Sequence, residues 1–284
     1  MGRISNTITL AKASWQVLKA DKELVALPVI SLVATLIVAF SFLAPIAFAT
    51  GGQEFAAESM GTGDYILLGL MYVSLAFVTI FFNAALVSAA MERMDGGDPT
   101  IGSAIRGALG RIHRILPWAI VSATVSVILR ALEERAGTLG RIVIGIIGVA
   151  WSLVTFLVVP VLVVENVGVT DAVKRSGALF KKTWGENVAA QVGFGLLGFL
   201  VVLPAILIAA GAFYIGETIG LLVLVLAVVW ILGASMVIAA LNGVFQAALY
   251  RYAAGLETPS AFGSLEATFA PKAGRGIRGG FAGA

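Results

Sequence analysis

The stretch that decides the fold is TIGLLVLVLAVVWILGASMVIAALNGVFQAALY, Thr218–Tyr250, in which 33 consecutive positions carry no charged side chain. A helix needs about 20 apolar residues to cross the hydrocarbon core of a bilayer, so this run is long enough to span it. Five further charge-free runs are Leu24–Gln53, Tyr65–Met91, Ile115–Leu129, Ile142–Val164 and Asn187–Gly216. The third run is short, but Ala131 and Leu132 extend it past Arg130, whose long side chain can reach the interface. The sequence predicts an all-α, polytopic membrane protein with six transmembrane helices.

The composition agrees with a membrane location and limits the chemistry available. Hydrophobic residues make up 59% of the 284 residues and charged residues 12%, with a mean hydropathy of +0.99. The sequence has no cysteine, which excludes disulfides, thiolate metal sites and thiol nucleophiles. The single histidine, His113, has no serine or carboxylate close to it in sequence, and there is no phosphate-binding glycine loop. We therefore predict a non-enzymatic protein without catalytic residues, cofactor or metal.

Positive charge is concentrated on one side of the predicted spans. That side holds most of the Lys and Arg residues: Arg3, Lys12, Lys19, Lys22, Arg93, Arg106, Arg111, Arg114, Lys174, Arg175, Lys181, Lys182, Arg251, Lys272, Arg275 and Arg278. The other side has Arg130, Arg135 and Arg141. Because cytoplasmic loops are enriched in Lys and Arg, the sequence predicts a prokaryotic plasma-membrane protein with both chain ends in the cytoplasm.

The segment after Gly168 predicts an amphipathic helix at the cytoplasmic interface. At about 100° per residue, four bases fall on one face: Lys174, Arg175, Lys181 and Lys182. An apolar group falls opposite: Val173, Gly177, Phe180 and Trp184. Such helices lie in the headgroup region, where their bases contact anionic lipids. The alternative is a connector packed against the end of the bundle.

A second amphipathic helix is predicted after Gly97. Its apolar stripe consists of Ile101, Ile105, Leu109, Ile112 and Leu116. Arg106, His113 and Arg114 face away from that stripe. With the four bases after Gly168, we single out Arg106 and Arg114 as candidate contacts for anionic lipid.

Three segments of the chain share a weak pattern, an amphipathic helix followed by a helical hairpin. The later segments begin at Gly-containing turns, after which Thr, Asp or Ser supplies a helix N-cap. We predict one transmembrane domain over residues 1–270, built from the parallel units 1–95, 96–167 and 168–254. Residues 271–284 are Gly-rich and are predicted to be a disordered tail. Its Gly-Arg-Gly stretch faintly resembles an RNA-binding tract, but its few bases give little phosphate affinity, so no nucleic-acid partner is expected.

Few polar residues fall inside the predicted spans. Asn83 and Asn242 each precede a glycine by 13 residues, and they either line a shared polar seam or form interhelical hydrogen bonds. Pro45, Pro160 and Pro204 can kink spans one, four and five, either for gating or as static packing features.

These features leave three function classes. The leading hypothesis is a scaffold, assembly partner or lipid-interacting module, whose partners are membrane lipids, another membrane protein or a second copy of the chain. The alternative is a transporter or channel for a small or lipid-like substrate. An intramembrane enzyme is opposed by the missing Cys and the lack of paired carboxylates in the spans. A cavity that reaches Asn83 and Asn242 would favour transport, and a closed, dry bundle would favour the scaffold.

Two stretches carry a resemblance to a known family. They are VPVLVVENVGVTDAVKRSGALFKKTWGE, Val159–Glu186, and SWQVLKADKEL, Ser14–Leu24. The chain from Ser14 to Pro271 resembles an uncharacterised family of prokaryotic six-span membrane proteins, which implies the fold and the membrane placement but no activity. The Glu-x-x-Gly…Ala-x-Lys-Arg-Ser phrase is more loosely similar to membrane domains appended to some glycerophosphodiester phosphodiesterases. The catalytic domain of those enzymes has no counterpart here, so the resemblance does not imply their activity.

Overall fold

A computed structural model describes Trp15, Leu18, Asp21 and residues 23–49 and 61–256, apart from the side chains of 46–49, 183–187 and 189–191. Within these ranges the secondary structure is helical, without strands: α1 (Glu23–Ala49), α2 (Thr62–Met94), α3 (Ile101–Leu109), α4 (Ile112–Arg135), α5 (Thr138–Thr155), α6 (Val158–Val164), α7 (Val169–Ala212) and α8 (Glu217–Ala254). The all-α fold class is thereby confirmed. The expected tail 271–284, most of the N-terminal amphipathic helix and the Trp184 side chain lie outside the described residues.

Six of the described stretches are long and apolar enough to cross a membrane. They are Glu23–Pro45, Thr62–Met94, Ile112–Arg135, Thr138–Val164, Val192–Ala212 and Glu217–Ala254. These stretches coincide with the six charge-free runs of the sequence, including the short third one. The chain is therefore a polytopic membrane protein. The division into units 1–95, 96–167 and 168–254 stays a prediction, because helix bounds alone do not test it.

The connections between helices follow the expected turn chemistry in two places. Gly96 and Gly255 adopt left-handed φ angles of 84° and 75°, where a residue with a side chain would be strained. Thr100 caps α3: its hydroxyl accepts from the Ser103 amide at 3.0 Å, and the Ser103 hydroxyl accepts from the Thr100 amide at 3.0 Å. The turn at Gly168 differs from expectation, because it has no side-chain cap.

The prolines act unequally on the helices. Span four is interrupted at Pro160: α5 ends at Thr155 and α6 begins at Val158. By contrast, α1 continues through Pro28 and Pro45, and α7 continues through Pro204. Span four is therefore divided into two helices, whereas spans one and five remain single helices.

The basic segment after Gly168 is not a separate helix, which corrects the expectation of an interfacial helix followed by span five. α7 runs without interruption for 44 residues and contains both the bases and the span Val192–Ala212. At about 1.5 Å per residue α7 is roughly 66 Å long and its neighbour α8 roughly 57 Å long. Both exceed the roughly 30 Å apolar core of a bilayer, so they tilt or extend beyond it.

The tightly packed core lies at one end of the bundle, which we call the charged end because residues 92–114, 165–182 and 251 meet there. Fully or nearly fully buried side chains concentrate in 84–94 of α2, 158–163 of α6 and 240–253 of α8. The backbones of α2 and α8 approach closely at Gly243, where an added Cβ would lie 2.3 Å from Leu86 Cδ2. Toward the opposite end, which we call the far end, large apolar side chains such as Phe40, Ile146 and Trp230 are exposed, as expected for a surface that faces lipid.

Candidate functional site

A cleft opens between α1, α2 and α8, beyond the packed core as one moves from the charged end toward the far end. Its volume is about 430 Å³, and its lining from Pro28 to Gln246 contains no charged residue. Both asparagines expected to form a polar seam, Asn83 and Asn242, line it. Toward the charged end the next side chains, including Leu27, Val87 and Leu249, are buried, so the cleft is bounded by packed core on that side.

Asn83 is paired with Gln246 rather than with Asn242. The Asn83 Nδ2 donates to Gln246 Oε1 at 3.1 Å, which links α2 to α8. Gln246 Nε2 in turn donates to the backbone carbonyl of Phe156, between α5 and α6. Asn83 therefore forms an interhelical hydrogen bond, and it also lines the cleft together with Asn242.

Pro160, four residues after Phe156 in span four, explains why Gln246 bonds to the Phe156 carbonyl. In a continuous helix the Phe156 carbonyl would accept from the amide of residue 160, but Pro160 has no amide hydrogen. An unpaired backbone carbonyl is costly in a membrane interior. Gln246, whose side chain is buried, supplies the missing donor.

A second side chain, from the neighbouring helix α7, also hydrogen-bonds to the backbone at this break. Ser176 of α7 is fully buried; its hydroxyl donates to the Val154 carbonyl at 2.5 Å and accepts from the Leu157 amide at 3.2 Å. Backbone groups at the break in span four are thus hydrogen-bonded by one polar side chain from α7 and one from α8. The sequence analysis assigned no role to Gln246 or to Ser176.

Asn242 has a different environment from Asn83. It is partly exposed within the cleft, and its amide makes no hydrogen bond to any residue that the structure describes. Ser235, two turns earlier on the same face of α8, also lines the cleft. The hydroxyls of Thr35 and Thr79 instead bond to carbonyls one turn back in their own helices, at 2.8 Å and 3.0 Å.

The bases of α7 lie outside the stripe by which the helix packs. The buried stripe is Ala172, Ser176 and Leu179, one position away from the predicted Val173, Gly177 and Phe180. Lys174, Arg175, Lys181 and Lys182 are exposed, and we call them the basic face of α7. The predicted separation of bases from packing residues is therefore present, although the packing stripe was placed one residue too far along.

Arg175 and Arg114 have protein partners at the charged end. The Arg175 guanidinium forms an ion pair with Glu165 at 2.9 Å, and the buried Tyr250 hydroxyl donates to the same carboxylate at 3.0 Å. Arg114 donates to Asn166 Oδ1 and to the Glu165 carbonyl. These two bases therefore join α4, α7 and α8. Among the residues that the structure describes, Lys174 pairs with Asp171, at 3.6 Å between two exposed groups.

The second predicted amphipathic helix packs differently from expectation. α3 and α4 are separate helices, and the buried residues of this region are Ala104, Ala108 and Ile115. Of the expected stripe, Leu109, Ile112 and Leu116 are exposed, together with Arg106. The small alanines thus pack against the bundle, because α3 lies close to α2, and the larger apolar side chains face outward.

Further polar contacts connect the helices at the charged end. Arg251 forms an ion pair with Asp95, and the Ile101 amide donates to Glu23 Oε2 at 2.6 Å. Asp21 is buried; its Oδ1 accepts from the Glu23 amide at 3.1 Å, and burial raises the pKa of its carboxyl. In the described part of the chain, no group of three or more His, Cys, Asp or Glu side chains is arranged to hold a metal ion.

Comparison with known proteins gives one match. A family model described as a family of unknown function (DUF6159) matches residues 62–260. The chain belongs to this family. The DUF6159 match covers the stretch Val159–Glu186 on which the resemblance rested and five of the six spans, whereas Ser14–Leu24 lies before it. The resemblance to an uncharacterised membrane family is confirmed, and the looser similarity to phosphodiesterase-linked domains stays a prediction. No curated protein and no solved structure matches the chain.

Proposed function

We propose that this protein is a non-enzymatic, multi-pass protein of a prokaryotic plasma membrane that binds anionic lipid headgroups through the basic face of α7. The observation that carries the proposal is the exposure of Lys174, Lys181 and Lys182 on α7. At about 100° per residue, Lys174 and Lys181 lie opposite the buried stripe, and Lys182 lies beside them on the flank. Each base near an anionic surface contributes about 1 kcal/mol of attraction. Arg175 contributes less than these lysines, since Glu165 already neutralises it.

The proposal places the charged end in the cytoplasm. Its support is the asymmetry of Lys and Arg, whose far-end members are Arg130, Arg135 and Arg141. The absence of native cysteine makes this orientation directly measurable. In intact cells, a membrane-impermeant maleimide should label Leu139→Cys, a position 80% exposed at the far end, and should not label Lys182→Cys. Labelling of Lys182→Cys alone would reverse the orientation.

The lipid contact is tested with the full chain in nanodiscs of phosphatidylcholine and phosphatidylglycerol. The measurement is the enrichment of phosphatidylglycerol retained by the protein in native mass spectrometry. Replacing Lys174, Lys181 and Lys182 by Gln should lower the enrichment at least about 5-fold, the equivalent of one base at roughly 1 kcal/mol. The matched control replaces Arg130, Arg135 and Arg141 by Gln, which removes the same charge from the far end. Equal losses in the two triple variants would contradict a specific role of the basic face.

A carrier for a small or lipid-like substrate is the second candidate function. The cleft favours it, because the cleft reaches both Asn83 and Asn242 within the bundle. Dithionite quenching of a fluorescent lipid in reconstituted vesicles measures such transport. Quenching no faster than in protein-free vesicles would oppose lipid transport and leave the binding function. Assembly with a partner membrane protein or a second copy stays a prediction.

A further inference from the structure

The cleft between α1, α2 and α8 has a chemistry distinct from that of the basic face. It is lined by apolar side chains and uncharged polar ones, and none of the described residues that border it is charged. Asn83 and Asn242 each lie nine residues from the first charged residue toward the charged end, Glu92 and Arg251. That separation is about 13 Å along a helix, which places both amides below the layer where charged headgroups reside.

Hydrogen-bonding capacity in the cleft is not fully used by the protein. The Asn83 amide and the Thr35 and Thr79 hydroxyls donate to protein acceptors. Asn242 makes no hydrogen bond to the described residues, although its amide offers two donors and one acceptor. A polar group without a partner in the apolar part of a membrane is destabilising, so a ligand that bonds to it gains that free energy.

The surroundings determine which lipid fits. A phosphate or carboxylate would have to leave the interface and be desolvated without a countercharge, which is strongly unfavourable. Desolvating an uncharged hydroxyl or ester group costs far less, and a hydroxyl can both accept from and donate to an amide. At about 430 Å³ the cleft has the size of typical small-ligand sites, enough for a small polar head and part of an acyl chain.

We propose that this cleft binds an uncharged lipid bearing hydroxyl and ester oxygens, of the diacylglycerol type, and that Asn242 hydrogen-bonds those oxygens. Ser235 lies on the same face of α8 about 10 Å further toward the far end, beside the path of the acyl chain. The inference goes beyond the proposed contact with anionic headgroups, because it concerns another surface and another lipid class.

The test uses the full chain in phosphatidylcholine vesicles with photoactivatable diacylglycerol, and in parallel with phosphatidic acid carrying the same chains. Cross-linked peptides are mapped by mass spectrometry. Diacylglycerol should label peptides from α2 and α8 that line the cleft, and phosphatidic acid should label them at least about 5-fold less. Asn242→Leu should reduce the diacylglycerol labelling about 3- to 20-fold, the range expected for one interhelical-type hydrogen bond. Asn242→Gln, which retains an amide, should keep most of it.

Two further variants make the outcome decisive. Ala239→Trp fills the cleft while keeping the Asn242 amide in the chain, and it should also reduce labelling. Thr124→Val removes a hydroxyl from an exposed position on α4, outside the cleft, and should change nothing. Equal labelling by the two lipids, or labelling that survives both Asn242→Leu and Ala239→Trp, would overturn the proposal. Loss in Ala239→Trp but not in Asn242→Leu would overturn the hydrogen-bonding role and leave a site for acyl chains alone. The triple-lysine variant should label normally, so this proposal and the anionic-lipid proposal can fail independently.

Discussion

Replacing Gln246 by leucine tests the account of the break in span four. The change introduces an apolar side chain of similar size and removes the acceptor for Asn83 and the donor to the Phe156 carbonyl. Interhelical hydrogen bonds in membrane proteins contribute about 0.6 kcal/mol on average and up to about 1.7 kcal/mol. Two lost bonds therefore predict a loss of about 1–3 kcal/mol in the free energy of unfolding, with the orphaned carbonyl favouring the upper part of that range.

The measurement is reversible unfolding in mixed micelles, in which this loss corresponds to a roughly 5- to 150-fold change in the unfolding equilibrium. The matched control is Asn242→Leu, one turn away on α8, which removes an amide that makes no hydrogen bond to the described residues. Because an amide without a described partner is unfavourable in an apolar cleft, that variant should not lower the stability.

A double-mutant cycle with Pro160→Ala assigns the effect to the missing amide. The introduced alanine restores an N–H that can bond to the Phe156 carbonyl, so Gln246→Leu should cost at least about 0.5 kcal/mol less in that background. Equal costs for Gln246→Leu and Asn242→Leu, or a cost unchanged by Pro160→Ala, would refute the reasoning.

Two other predictions concern packing and pH. Gly243→Ala would place a Cβ 2.3 Å from Leu86 Cδ2. The variant should therefore destabilise the protein by about 1–3 kcal/mol in thermal unfolding, and Leu86→Ala should partly restore the stability. An unchanged melting temperature would contradict the close approach of the two helices. Burial raises the pKa of Asp21 above its usual 3.8, so ionising this carboxyl costs more free energy in the folded than in the unfolded protein. The protonated carboxyl therefore favours the folded state below about pH 3.8, and that contribution to stability is lost as pH rises through the raised pKa. Asp21→Asn should remove that part of the pH dependence in detergent unfolding curves, whereas Glu133→Gln, at an exposed position, should not.

The helices that span the membrane could be predicted because hydrophobicity is a property of the local sequence. The run Thr218–Tyr250 and its five counterparts are long and free of charge, and each coincides with a candidate span. The turn at Gly96 and the cap at Thr100 were predictable for the same reason, since both depend on residues adjacent in sequence. The bases of α7 were assigned correctly to one face by angle, although its packing stripe was misplaced by one residue.

The partnerships within the bundle could not be read from the chain. Asn83 and Asn242 look equivalent in sequence, yet one is bonded to Gln246 and the other is left in a cleft. Which amide meets which depends on the rotation and depth of three helices that are far apart in sequence. The only local clue was Pro160, which predicts an orphaned carbonyl at Phe156 but does not say which side chain satisfies it.

The sequence by itself therefore determined that this chain is an all-α membrane protein with six spans and with most of its positive charge toward one end. Those properties follow from the transfer of side chains between water and lipid, which depends on composition within each segment. Only the tertiary structure decided that Gln246 and Ser176 hydrogen-bond to backbone groups at the break in span four. It also decided that Arg175 forms an ion pair with Glu165 and that Asn242 lines a cleft. Hydrogen bonds between helices require donors and acceptors within about 3 Å, and that distance is set by how the helices pack.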